Sequence, residues 1–162
     1  MANKVYQIPE TALDWKDTSA PRTFSLNNLA FGTGQQGDLH DLGVAARSPW
    51  YAWRGWFQAA TTPVVGEAVR VYIKTSDGTI PDNDDGTTDA LVSAEDKLKN
   101  LTQIGTIIVD EAALGVKFVK SGVLWLPHRH VTPVFWNATA DNLVATDDLS
   151  GFSLTPIPRQ IQ

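Results

Sequence analysis

The chain has no cysteine. Disulfide staples, thiolate metal sites and a cysteine nucleophile are therefore excluded, and stability must come from packing in any redox compartment. Basic residues are too few and too scattered to form a patch: 13 lysines and arginines stand against 18 acids, for a net charge of −5. Binding to nucleic acid, which draws its affinity from neutralised phosphates, is not expected. No segment approaches the roughly 20 consecutive apolar residues that span a bilayer. The N-terminal stretch carries Lys4, Glu10, Asp14, Lys16 and Asp17 without the continuous apolar run of a secretory signal. A protein made soluble in the cytoplasm is the expectation, and the sequons at Asn100 and Asn137 read as chance.

Signatures of chemistry are missing too. No serine sits in a G-x-S-x-G elbow. Gly32-Thr33-Gly34 is followed by no Lys-Ser/Thr pair and opens no helix, so it is not a phosphate loop. The acids fall in loops without the apolar surroundings that raise a general acid's pKa. His128 and His130 would share one face of a strand, but a metal needs a third ligand, and only His40 in Asp38-Leu39-His40-Asp41 offers one. The adopted reading is a polar strand entry after Pro127 with no metal. The loop Asp77 to Gly86 has the look of a calcium loop, yet Asp85-Gly86 comes one residue early for the D-x-D-x-D-G spacing and no glutamate follows at the twelfth position. It reads as a solvated, mobile loop, with calcium left open. No enzymatic activity and no cofactor are expected.

What the chain does hold is apolar and aromatic. With 162 residues, 43% hydrophobic and 19% charged, it has the material for one folded domain. Trp50 to Ala60 (WYAWRGWFQAA) reads as a strand with aromatic residues on both faces. Side chains alternate along a strand, so Tyr51, Trp53, Gly55 and Phe57 point one way and Trp50, Arg54, Trp56 and Gln58 the other. The first set carries no charge and is assigned to the core. Glu67 to Thr75 alternates cleanly, with Val69, Val71 and Ile73 inward and Arg70, Tyr72 and Lys74 outward.

Further strands are read at Phe24–Leu26, Ile104–Val109, Val116–Phe118, Val123–Leu126, Val131–Trp136 and Phe152–Ile157, with a bulge or turn at Ser121-Gly122. Phe31 to Gly37, with three glycines, reads as a loop, and Ser93 to Lys99 as one short helix capped by Ser93. About eight strands and one minor helix make an all-β jelly-roll β-sandwich the expected fold, with the immunoglobulin-type sandwich as the near alternative. Residues 1–20 are read as an extended arm and 21–162 as the sandwich domain.

The outward residues Trp50, Arg54, Trp56, Arg70 and Tyr72 form the candidate interface, on the condition that the two strands pair as a hairpin. Tryptophan, tyrosine and arginine are the residues enriched where proteins meet. Either a partner covers this face or the N-terminal arm folds back over it with Tyr6, Ile8, Leu13 and Trp15.

Two stretches carry a family resemblance. One is Ser76 to Ala90 (SDGTIPDNDDGTTDA) with Glu95 to Glu111 (EDKLKNLTQIGTIIVDE). The other is Leu126 to Leu143 (LPHRHVTPVFWNATADNL) with Phe152 to Gln162 (FSLTPIPRQIQ). In this organisation the chain, from about Arg22 onward, resembles small jelly-roll virion proteins of tailed bacteriophages that decorate or cement the capsid. The resemblance implies a structural protein on the capsid surface of the virion. It also implies a homo-oligomer, with a trimer the expected form, that contacts the major capsid protein or another virion protein. The competing readings are a glycan-binding module or tail-fibre receptor-binding protein, with tryptophans stacking on sugar rings, and a cupin-type enzyme whose histidines converge with a carboxylate. A sugar site would show exposed rings with Asp, Asn or Gln beside them.

Overall fold

The alternating segments become two packed layers. The computed structural model describes residues 5–7, 10–44, 48–83 and 85–161. Its strands, in chain order, are β1 (Val5–Gln7), β2 (Leu13–Trp15), β3 (Thr33–Gln36), β4 (His40–Asp41), β5 (Trp50–Gln58), β6 (Ala68–Ser76), β7 (Ala90–Val92), β8 (Thr102–Ile108), β9 (Lys117–Trp125), β10 (His130–Asn137), β11 (Gly151–Pro156) and β12 (Arg159–Ile161). The helical element among the described residues is a single 3-10 turn, Glu95–Leu98, with Ala94 at its N-cap and no side-chain cap.

One sheet runs β2-β11-β5-β9, and the other runs β7-β3-β10-β6-β8 with β4 also pairing β10. Set aside β1, β4, β7 and β12, and the nesting is complete. The first remaining strand pairs with the last (β2·β11), the second with the seventh (β3·β10), the third with the sixth (β5·β9) and the fourth with the fifth (β6·β8), all antiparallel. A long hairpin rolled onto itself in this way is the jelly roll.

Between the layers lie Trp15, Phe24, Leu26, Tyr51, Trp53, Phe57, Val69, Val71, Ile73, Ile107, Phe135, Phe152 and Leu154, each at most 3% exposed. The inward face of β5 is the one expected. Trp53 stacks on Phe152 at 6.2 Å between centroids, and a Cβ on Gly55 would sit 3.1 Å from the Phe135 ring, so the glycine admits that ring. Burying this much aromatic surface at about 25 cal/mol per Å² is the main force holding the layers together.

Several expectations are corrected. The Gly-rich stretch contains β3, because Gly34 is needed there: a Cβ would lie 2.8 Å from the Phe135 carbonyl oxygen and 3.0 Å from the Trp136 ring. Phe24 and Leu26 are fully buried without being in a strand. The backbone N–H of Thr23 donates to the Asp38 side chain and that of Ser25 to Asp89, while the N–H of Phe24 donates to the Lys16 carbonyl, so side chains and one isolated bridge stand in for a strand partner. β9 runs straight against β5 with no bulge at Ser121-Gly122. The irregularity lies instead in β8, where the register shifts opposite Val71 and Tyr72. The arm is shorter than 1–20, since Leu13–Trp15 is a strand of the sheet and Trp15 is core. Its outer part, Val5–Gln7, pairs with Arg159–Ile161 rather than folding over β5. Residues 1–4, 8 and 9, including Ile8, lie outside the described residues.

Candidate functional site

β5 and β6 do not form a hairpin. β5 belongs to the four-stranded sheet and β6 to the other, because the chain crosses between layers after Gln58. The five residues expected to form one patch are therefore split between opposite outer faces of the sandwich. Trp50, Arg54 and Trp56 stand on one face, Arg70 and Tyr72 on the other.

On the β6 side the face is covered. Tyr72 is 7% exposed and packs with Val92, Leu98, Leu101, Val134 and Trp136, a second apolar cluster built outside the sandwich. The cover comes from the segment that follows β6, which adds β7 to the sheet edge beside β3 and brings Leu98 and Leu101, at and after the 3-10 turn, against the sheet's outer face. Arg70 pairs with Glu95 of that turn. This hydrogen bond and that with Tyr72 raise the guanidinium pKa further.

The acidic loop borders the cover; Asp77 to Ile80 and Gly86 to Thr88 are exposed, as a solvated loop would be, but the loop is anchored at several points. Lys74 is fully buried and its ammonium donates to the Gly86 carbonyl at 2.6 Å and the Gln36 side-chain oxygen at 3.1 Å. Gln36 in turn donates to the carbonyls of Asp85 and Thr88. Asp82 accepts from the backbone and hydroxyl of Thr75, and Lys97 pairs with Asp85. The Lys74 ammonium thus ties the loop to the sheet. Asp84 lies outside the described residues.

On the β5 side the face is bare. The cross-strand rows read Trp50 opposite Trp125, then Ala52 flanked by Val123 and Thr155. Arg54 follows, flanked by Ser121 and Ser153, and then Trp56, flanked by Val119 and Gly151. Val123 is 62% exposed, Trp125 54%, Val119 41% and Trp50 39%. Trp56 is half-buried; its indole N–H donates to the Asp148 carbonyl at 3.4 Å, and the Lys16 ammonium lies 5.8 Å from its ring. A shallow depression of about 360 Å³ beside it is lined by Arg54, Trp56, Lys117, Val119 and Ser153. Neither Trp50 nor Trp125 has a carboxylate or side-chain amide among its cross-strand neighbours.

Val119, Val123 and Trp125 were missed by sequence reasoning. The signal was present: Phe118, Leu124 and Leu126 share one parity, which leaves three apolar residues on the opposite, outward parity of an unbroken strand. Assuming every apolar residue points inward turned that signal into a false bulge.

The three histidines do not converge. His130 stands opposite Asp41 and Ser76, while His40, one residue along β4, turns to the other face and packs edge-on against Trp15 at 5.8 Å. Burial and the nearby Arg22 guanidinium push the His40 pKa down. His128 is exposed in the preceding turn. Asp41 is engaged by Arg129 through two hydrogen bonds, which hold its carboxyl down at about 2. Among the described residues no group of three or more His, Cys, Asp or Glu is placed to hold a metal ion, and no helix is long and apolar enough to cross a membrane.

No protein-family model and no curated protein matches the chain in sequence.

Proposed function

We propose that this chain is a bacteriophage virion structural protein, a capsid decoration protein that binds the particle surface as an oligomer through the bare face of its four-stranded sheet. The observation that supports this reading is the row of exposed apolar residues Trp50, Val119, Val123 and Trp125 on one flat face, set around Arg54. Exposed tryptophan and valine with an arginine among them have the composition of a protein-binding core rather than of solvent-facing strand. The jelly-roll topology agrees with the family the sequence resembles. The glycan reading draws less support, because the exposed rings are bordered by valine, alanine and threonine instead of the acids and amides that fix sugar hydroxyls.

The test is immunogold labelling of purified phage particles with antibody to this chain. Label on heads supports the reading. Label on tails moves the protein to a tail or fibre role, and unlabelled particles together with binding to a glycan array would replace it with the carbohydrate module.

A further inference from the structure

The edge of the bare sheet carries its own information. β9 is nine residues long, contains no proline, and holds register with β5 from Trp50↔Trp125 to Gln58↔Lys117 without a shift. Among the described strands it pairs only with β5, so the N–H and C=O groups of alternate residues along its other edge have no strand partner. Proteins usually blunt such an edge by shortening it, bending it or placing lysine on it. Here only Lys117 and Lys120 serve, while Val119, Val123 and Trp125 stand exposed beside them.

We propose that β9 pairs with β9 of a second copy, antiparallel, about a two-fold axis through Ser121. The sequence of the strand is self-complementary in that register. Ser121 meets its own copy. Val119 meets Val123 of the second chain, so apolar stands opposite apolar. Lys117 meets Trp125, where an ammonium rests over an indole face, and Lys120 meets Gly122, a position without charge whose own side-chain space is filled by Trp53. Phe118 meets Leu124 on the inner parity. Every one of the nine residues finds a partner, because Ser121 is the midpoint of Lys117–Trp125.

Neighbouring registers are poorer. An axis at Lys120 sets that lysine against itself, and like charges directly opposite destabilise a strand pair. An axis at Gly122 moves Lys117 opposite Pro127, beyond the strand. The two lysines that guard the edge against other strands thus select this one alignment. An isologous contact of this kind closes on itself as a dimer. A trimer, the form the family resemblance implies, would need two different surfaces to meet. Two four-stranded sheets joined in this way carry both copies of the bare face side by side. The pairing uses backbone groups of β9 and does not depend on what that face binds, so it and the virion reading can fail separately.

A cysteine-free chain makes the test clean. Ser121→Cys, at an exposed position, should convert to a covalent dimer on mild oxidation. Ser153→Cys, on the same face but two strands inside the edge, should form no covalent dimer under the same oxidation. In a second measurement, Ser121→Lys and Ser121→Glu should each scatter light as a monomer and, when mixed, return to twice the 17.7 kDa chain mass. The proposal is overturned if Ser121→Cys cross-links no better than Ser153→Cys. It is equally overturned if the unmodified protein has the mass of one chain or of three, or if the charge-swapped pair fails to recombine.

Discussion

The two outer faces of this sandwich are built from similar residues and meet opposite fates. Each carries tryptophan and valine beside a basic side chain: Val134, Trp136 and Lys74 on one, Val119, Val123, Trp125 and Arg54 on the other. On the first face the chain supplies its own cover, adding a strand, a 3-10 turn and an anchored acidic loop between residues 77 and 101. On the second, among the described residues, it supplies only the Asp148 loop and Lys16 at Trp56, and the terminal strands pair with each other. A monomer gains from burying both faces, and the open face beside a covered counterpart is the contrast on which the proposed partner surface rests.

The comparison is broken most forcefully by emptying the covered side. Trp136→Ala should cost about 3–5 kcal/mol, as loss of a buried large aromatic does, and Trp53→Ala in the main core should cost as much or prevent folding. Urea denaturation of the isolated chain measures both. A Trp136 variant as stable as the parent would mean that the cover is not part of the folded core.

Lys74→Met comes next. It removes a donor from the Gly86 carbonyl and from the amide oxygen of buried Gln36, at a cost of about 1–3 kcal/mol for the buried acceptor left without its partner. The damage should be local. Hydrogen exchange should quicken across residues 77–90 and leave β5 and β9 unchanged. Unchanged exchange in the loop would show that Lys74 does not hold it.

How much of this was legible before the fold was known follows from the same contrast. The inward and outward faces of β5 were readable because a strand repeats every two residues and one face carried no charge. The sandwich class was readable from the tally of alternating segments. The cover was not. Its apolar contribution is three residues, Val92, Leu98 and Leu101, dispersed through polar sequence, and only the outer face of the sheet brings them together. Lys74 looked like a solvent residue for the same reason: its alternation is outward, and nothing in the local sequence says that the chain returns to bury it. The candidate patch was divided because strand parity assigns a face to each residue but does not say which sheet the strand joins. Pairing β5 with β6 put Arg70 and Tyr72 beside Trp56, whereas the jelly roll sends them to opposite sides and sets Trp125 beside Trp50 instead.

On the bare face the expected effects are smaller for the chain and larger for what it binds. Trp125→Ala should shift the stability of the isolated subunit by no more than about 0.5 kcal/mol, as exposed substitutions do. Its binding to the particle should weaken by about 2 kcal/mol or more, as at an interface hot spot. Cosedimentation with particles lacking the protein reads the second quantity. A Trp125 variant that binds normally would remove this residue from the interface and leave the row around Trp50 and Arg54 as the only contact. Trp56→Ala differs in kind, since its indole is hydrogen-bonded to Asp148, and it should lower subunit stability as well as binding.

The smallest effect lies at the border of the bare face and is visible only through pH. Asp17 follows β2, in reach of the acids that flank Trp56. Burial raises its pKa to about 6, with the carboxylates of Asp147, Asp89 and Asp148 pushing the same way and a hydrogen bond from the Asn27 backbone opposing them. A carboxyl whose folded pKa exceeds its unfolded value holds extra protons in the folded state between the two. Its contribution is therefore favourable to folding at low pH and is lost as pH rises from about 4 through about 6. Asp17→Asn removes the charge and should raise the denaturation midpoint at pH 7.5 while making no difference near pH 3.5. The side chain is partly solvated, so screening should hold the gain to about 1 kcal/mol or less. An amide oxygen can still accept from Asn27, which keeps the comparison clean. Equal midpoints for the two proteins across the whole range would show that Asp17 titrates as an ordinary surface acid, and a loss of stability at every pH would show that its geometry, not its charge, is what the border of the bare face requires.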